Sequence, residues 1–544
     1  MKKTASNDDI LYERKIEIGK KKLHYLKPSI QKKNISNLSI QEQVKFIEYG
    51  IAPLVPPKHK NILEAFEYWV SKTPKATAAI HLNNTISYKE LNNQATILAL
   101  LLKQKGISSG DSVGLYMHRS LDMLIGIISC LKLGAIYVPQ DPRIVPKSML
   151  NSIYKLSNSS IVISHSDYQN QELFQEQIEV VFIDKELSKD IHQRLYGSVK
   201  LINQKGNTPG STCFILFTSG TTGIPNGVQV THQHLCNILY TAPGNLNIKP
   251  GTKVAQILNI SFDMAAWEIL GCLGNGGTLL IRGKSIQDTA QKANVIIATP
   301  TVLTTIDINK CKSIETVAVA GEPCPEILAN KWAKVCDFYN SCGPTETTIV
   351  NTMKKCDLKN KELSIGKPTP NNTVYILNEN QEPCKIGEVG IMWAGGNCVT
   401  KGYINNSELN KKRYANDPFL NNGDLMFNTG DLGKWNSEGE LIHYGRVDDQ
   451  VKIKGFRVEL DAISKIIERA TNVKRAVTLK HQNFLVSFIS GNFKNKSKVL
   501  ELLKNNISKE LPYYYLPTEF IFMEELPKTS RGKINKSELK EYLN

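Results

Sequence analysis

The sequence predicts an α/β protein: a large N-terminal domain of layered sheets and helices, followed by a small α+β domain. Three observations carry that expectation. The 544 residues exceed what one hydrophobic core usually organises. Strand-like and helix-like apolar patterns alternate from about residue 60 onward, as they do where helices cover a largely parallel sheet. Near Gly445 the texture changes, and a hairpin pattern leads into one short amphipathic helix.

Residues 1–59 are polar and basic and end at Pro53-Leu54-Val55-Pro56-Pro57, where prolines remove N–H donors and stop regular structure. They read as an arm or lead-in. From Asn61 the apolar residues Ile62, Phe66, Trp69 and Val70 recur at helical spacing; Ala78-Ala79-Ile80-His81-Leu82 reads as a strand, and a second helix runs through Leu98 to Leu102. The strand Val113-Gly114-Leu115-Tyr116-Met117 precedes an apolar helix from Ser120 to Leu133, with Gly134 placed to close it. Tyr137-Val138-Pro139-Gln140 then leaves into the turn Asp141-Pro142. Between Gln450 and Leu460 the apolar phase slips by one at Gly455, as in a hairpin or bulge, and Ile463, Ile466, Ile467 and Ala470 fall on one helical face. The chain therefore divides into residues 1–59, 60–444 and 445–544.

Composition narrows the function. A net charge of +16 invites a nucleic-acid reading, but the lysines are spread along the whole chain and interleaved with Asn and Glu, whereas a nucleic-acid face concentrates charge with stacking aromatics. No nucleic-acid partner is expected. No run of about 18 uncharged apolar residues occurs, and Met1-Lys2-Lys3-Thr4-Ala5-Ser6-Asn7 leads into polar sequence, so the expectation is a cytoplasmic protein without a membrane partner. The eleven cysteines stand singly, without metal-ligand spacing, as reduced core thiols do.

The most informative segment is Thr218-Ser219-Gly220-Thr221-Thr222-Gly223, directly behind the apolar run Phe214 to Phe217. Glycines let backbone N–H groups converge on an anion and the hydroxyls add uncharged donors, which suits nucleotide phosphates. No Gly-Lys-Ser/Thr follows, so it is not a Walker loop. Asp263 stands in the otherwise apolar Ser261-Phe262-Asp263-Met264-Ala265-Ala266-Trp267, either as the cap of a helix over 264–273 or as a carboxylate paired with a substrate ammonium. Asn340-Ser341-Cys342-Gly343-Pro344-Thr345-Glu346 is a polar turn after apolar sequence, able to offer a hydroxyl to phosphate and a carboxylate to magnesium. Thr429-Gly430-Asp431, Gly445-Arg446-Val447-Asp448 and Lys528-Thr529-Ser530-Arg531-Gly532-Lys533 are each commonplace alone.

In this order, and with Leu131-Lys132-Leu133-Gly134-Ala135-Ile136-Tyr137-Val138-Pro139 and Leu511-Pro512-Tyr513-Tyr514-Tyr515-Leu516-Pro517, these segments resemble the motif series of the adenylate-forming superfamily. That superfamily comprises acyl-CoA synthetases, luciferases and the amino-acid adenylation domains of nonribosomal peptide synthesis, and the series is most similar to the last. The resemblance implies a large AMP-binding domain with a small mobile C-terminal lid. It implies that Thr218 to Gly223, Gly343, Thr345, Asp431, Arg446 and Lys533 bind ATP, that Glu346 holds Mg²⁺, and that Lys533, Glu346 and Thr218 carry the catalysis. It makes Asp448 the hinge and Gly455 the close-approach point for a phosphopantetheine arm.

The implied activity is conversion of an amino acid to its aminoacyl-AMP, then transfer to the phosphopantetheine thiol of a carrier protein. Two anions must meet, so Lys533 and Mg²⁺ would neutralise both before attack at the α-phosphorus. The pocket would be lined by Asp263, Met264, Trp267, Ile297, Ala318, Ala320, Ser341, Ile349 and Val350, and would suit a neutral, apolar or aromatic amino acid. Eleven residues follow Lys533, too few for a carrier domain, so a stand-alone enzyme served by a carrier in trans is expected, with an MbtH-like helper as a further partner that the resemblance admits. Three positions depart from the family's pattern: Asn226 replaces a Lys, Asn428 an Arg and Cys342 a stacking Tyr, which should weaken nucleotide binding. The alternatives are an acyl- or aryl-CoA ligase, which would not need Asp263, and a binding protein that has lost catalysis.

Overall fold

The structure is a computed structural model, and it describes residues 9–10, 13–18, 21–26, 30–169, 177–187, 207–218, 220, 225–357, 363–420, 423–493, 495–528 and 534–543. It is a mixed α/β fold with a large N-terminal domain and a small C-terminal one. Two large sheets form the first. The nine-stranded sheet runs Lys367–Pro368, Thr352–Lys355, Asp337–Cys342, Thr316–Val319, Val295–Ala298, Lys253–Gln256, Thr278–Ile281, Thr77–His81 and Asn84–Ser87, parallel from Asp337–Cys342 through Thr77–His81 and antiparallel at its edges. The six-stranded sheet is Glu179–Phe182, Ile161–Ser164, Ser112–Tyr116, Ile136–Gln140, Thr212–Thr218 and Asn226–Thr231. One continuous core lies between them, and its helices are apolar nearly all round: Leu121–Leu133 and Asp263–Gly274 bury almost every residue.

Local chemistry sets the element ends. Asn61 caps the helix Ile62–Lys72 and Ser120 caps Leu121–Leu133, each side chain accepting a backbone N–H two or three positions into the helix. Gly134 ends the latter at φ 70°, a left-handed residue at no Cβ cost. The stretch expected as a polar lead-in behaves otherwise: Ile40–Gly50 is a helix with a Ser39/Glu42 capping box. Its Phe46 stacks on Tyr375 at 5.3 Å and meets Phe419 edge-on at 5.2 Å, so it covers the sheet built from Asn372–Leu377, Gly390–Gly396 and Leu425–Trp435. Its polar average conceals one apolar face, which a third sheet needs as cover.

The C-terminal residues build their own core. Gln450–Ile453 and Phe456–Glu459 pair antiparallel through the two-residue turn Lys454-Gly455, both at positive φ (51° and 86°), the geometry whose twist suits a tight hairpin. The helix Leu460–Glu468 buries Ile463, Ile466 and Ile467 against the sheet Val473–His481, Phe484–Gly491 and Glu519–Met523. No helix among the described residues is long and apolar enough to cross a membrane.

Candidate active site

The parallel strands of the large sheet end on one side, and their C-terminal ends line a cavity of about 800 Å³. Thr299 follows Val295–Ala298, Ala320 and Gly321 follow Thr316–Val319, and Ser341 and Cys342 close Asp337–Cys342. The hairpin Gln450–Glu459 forms the opposite wall, with Gly455 at its tip. The Gly455 N–H donates to the Glu322 carboxylate, and a Cβ at Gly455 would lie 2.6 Å from Thr299 Cγ2. Gly455→Ala should therefore lose the docked hairpin, at a cost of about 1–3 kcal/mol from the clash and the positive φ together. Faster proteolysis of the C-terminal residues at an unchanged melting temperature of the large domain is the expected record.

Asp263 is the first residue of its helix rather than the cap; Phe262 holds the cap position and no side chain caps it. The Asp263 carboxyl reaches the cavity, half-buried. Burial pushes it up to about 6, against the Thr345 hydroxyl, the Met264 N–H and the charge of Lys452. Around it Met264, Ala320, Ser341 and Ile349 line the cavity without charge. Trp267, Ile297, Ala318 and Val350 lie instead in the adjoining core, and the indole of Trp267 donates to the Gly244 carbonyl at 2.7 Å.

Asp431 lies on the same cavity, held at about 2 because the His443 hydrogen bond and the Arg446 charge outweigh its burial. Arg446 joins two acids: Nη1 lies 2.8 Å from Asp431, while Nε and Nη2 lie 2.7 and 2.8 Å from Asp448. Gly343 allows a close approach, since a Cβ there would stand 2.6 Å from Val350 Cα. Thr218 and Thr345 line the cavity. Gly220 borders a small adjoining pocket. Ser219, Thr221, Thr222, Gly223 and Lys533 lie outside the described residues. Asn226 Oδ1 accepts from Asn406 at 3.2 Å and Asn428 Oδ1 from the Gly430 N–H at 3.0 Å, and neither residue lines the cavity. Cys342 does line it, its thiol pushed up to about 12 by burial.

Glu346 is the residue whose surroundings sequence reasoning missed. It is fully buried, and Arg457, on the hairpin, places Nη1 at 2.9 and 3.0 Å from its two oxygens, with the Tyr403 hydroxyl at 2.7 Å. Burial would raise this carboxyl; Arg457 and Tyr403 hold it below its ordinary range. A capping or turn signal could not have shown the pair, because the partners are 111 positions apart.

The AMP-binding enzyme family matches residues 66–404. The chain belongs to that family. Adenylate-forming reductase 06235 of Coprinopsis cinerea is 40% identical over 93% of this chain and 49% of its own length, and gramicidin S synthase 1 of Brevibacillus brevis is 31% identical over 89% of this chain and 45% of its own. The chain thus spans about half the length of the curated relatives it matches. Among solved structures, an artificially fused adenylation–PCP di-domain of Klebsiella oxytoca, NpsA-ThdA, shares the fold at a TM-score of 0.73 and 20% identity, covering 85% of this chain and 93% of that one. This chain is thus an AMP-binding enzyme by family, similar over part of their length to an adenylate-forming reductase and to a gramicidin synthase.

Enzymes of this family use ATP and Mg²⁺. Among the described residues no group of three or more His, Cys, Asp or Glu could hold a metal. A single carboxylate fits Mg²⁺ that takes its other ligands from phosphate and water. In this arrangement Arg457 spans both Glu346 oxygens, so Glu346 could take the ion only after Arg457 withdraws.

Proposed function

We propose that this AMP-binding enzyme activates an amino acid as its aminoacyl-AMP and passes it to the phosphopantetheine thiol of a carrier protein. The observation that carries this is the Asp263 carboxyl, half-buried on a cavity wall whose neighbours Met264, Ala320, Ser341 and Ile349 are uncharged. A carboxylate so placed is stabilised by a cation, and the α-ammonium of an amino acid supplies one. A neutral side chain would lie against the remaining wall. Thr218 to Gly223 and Thr345 would hold phosphate, Glu346 the Mg²⁺, Asp431 the ribose and Arg446 the nucleotide. Residues 445–544 would turn as a lid at Asp448, bringing Lys533 in for adenylation and Gly455 in for transfer. The docked hairpin and the Arg457–Glu346 pair suit the transfer half-reaction, in which no metal is needed at Glu346.

Pyrophosphate exchange tested across amino acids and simple carboxylic acids decides the matter. Exchange with amino acids alone is expected. Exchange with carboxylic acids alone would overturn the role of Asp263 and leave an acyl- or aryl-acid activator, and no exchange at all would leave a protein that has lost catalysis. The relatives named adenylate-forming reductases favour a second reading, in which the activated acid serves a reduction; the adenylate chemistry is then the same and only the fate of the thioester differs.

Asp263 also sets a pH dependence. Its folded value of about 6 lies above the unfolded 3.8, so the free protein gains stability from the neutral form below about pH 4 and loses it as pH rises through 6. Asp263→Asn should melt above the parent at pH 8 and converge with it near pH 4. Substrate ammonium needs the ionised form, so amino-acid affinity should weaken about tenfold per pH unit below about pH 5. The Asn variant should bind weakly at every pH. Calorimetric binding and melting curves from pH 4 to 8 check both trends.

A further inference from the structure

Asp431 takes two side-chain partners from one strand, and an irregularity in that strand delivers both. Leu441–Arg446 pairs antiparallel with Leu425–Trp435, Leu441 standing opposite Trp435 and His443 opposite Gly433. In an unbroken ladder Gly445 would come opposite Asp431, and Arg446 would point to the other face of the sheet. The register instead shifts between Asp431 and Gly433, so that Arg446 stands opposite Asp431. The extra residue is taken up beside Gly445, whose φ of 94° costs a residue without Cβ little. Cross-strand partners share a face, as do residues two apart on one strand. His443, Asp431 and Arg446 consequently lie on one face, and all three line the cavity.

The imidazole is held in one tautomer. The Gly445 N–H donates to Nδ1 at 3.2 Å, which makes Nδ1 the acceptor and puts the ring proton on Nε2. Nε2 lies 3.4 Å from Asp431 Oδ1, the same oxygen that Arg446 Nη1 reaches at 2.8 Å. Oδ2 accepts from none of the described residues. Two donors on one oxygen orient the carboxylate and leave the other oxygen for a ligand.

The two donors differ in what else they hold. Arg446 is shared, because its Nε and Nη2 grip Asp448, where the lid is proposed to turn. Its hold on Asp431 is therefore tied to the lid. Both partners of His443, Gly445 and Asp431, precede Asp448 in the chain, so that contact stays within the large domain.

We infer that His443 is a positioning residue of the nucleotide site: through Nε2–H it fixes Asp431 Oδ1, so that Oδ2 is presented to a ribose hydroxyl whichever way the lid is turned. The inference rests on the reading that Asp431 takes the ribose. His443 makes and breaks no bond; it acts through Asp431.

Nucleotide binding to the full chain, measured by calorimetry without any amino acid, tests this independently of the acid that is activated. ATP is expected to bind at least about tenfold more tightly than 2′,3′-dideoxy-ATP, the scale of a hydrogen bond to a charged group. In His443→Phe the affinity for ATP should fall about fivefold or more while that for the dideoxy analogue stays within about twofold. His443→Gln, whose amide N–H can reach the same oxygen, should recover most of the loss. His443→Leu repeats the comparison should the phenylalanine variant not fold. Equal affinity of the parent for the two nucleotides would remove the ribose reading of Asp431 and the inference with it. A gap in the parent that persists undiminished without the imidazole would keep the ribose reading and overturn the role of His443. Equal weakening of both nucleotides, or a glutamine variant no better than phenylalanine, would assign His443 to packing and overturn it as well.

Discussion

Arg457→Leu is expected to cost about 3–5 kcal/mol in the docking of the C-terminal domain, the largest stability effect the site offers. The leucine leaves Glu346 fully buried with its charge opposed by the Tyr403 hydroxyl and the weaker influence of Arg413, and a buried carboxylate that has lost its ion-pair partner is far more costly than a missing contact. The loss should depend on pH. Glu346 is depressed by Arg457, so the pair contributes fully above the ordinary carboxylate range and its contribution is lost as pH falls through the depressed value. Parent and variant should therefore differ most at neutral pH and converge in acid. Urea unfolding followed by limited proteolysis of the C-terminal residues, at pH 7 and pH 3, measures this. The double replacement Arg457→Leu with Glu346→Gln should recover a good part of the loss, because it removes the orphaned charge; failure to recover would mean that Arg457 acts through packing instead.

Lys533→Ala should lower pyrophosphate exchange by about 10²-fold or more, the scale seen when one group that stabilises developing charge is removed. Under the proposed function its ammonium is needed only where carboxylate and α-phosphate meet. Transfer from a chemically supplied aminoacyl adenylate should then remain near the parental rate. Equal losses in both half-reactions would mean that Lys533 is not specific to adenylation and would overturn that role.

Much of the local structure is legible in the chain. Helical spacing from Ile62 to Val70, the Ser120 and Gly134 ends, and the phase slip at Gly455 each correspond to an element observed, because caps, turns and periodicity are settled by residues within a few positions of one another. The same holds for the chemistry-bearing side chains: Asp263, Thr345, Asp431 and Arg446 all reach one cavity, as their motifs suggest. The helix Ile40–Gly50 was signalled by Ser39 and Glu42, but the polar composition around it masked the signal.

Tertiary structure decided what depends on the register between distant elements. The motif series implies nine lining positions, yet Trp267, Ile297, Ala318 and Val350 belong to the core behind the wall, since which side of a strand or helix faces a cavity is set by what packs on the other side. Arg457 and Glu346 meet only because the hairpin docks against the large domain. Sequence by itself determined the elements, the family and the types of side chain available. Only the fold decided which charges would neutralise one another and which would be left for a ligand, because Coulomb interactions in a poorly solvated cavity depend on distances that no local pattern encodes.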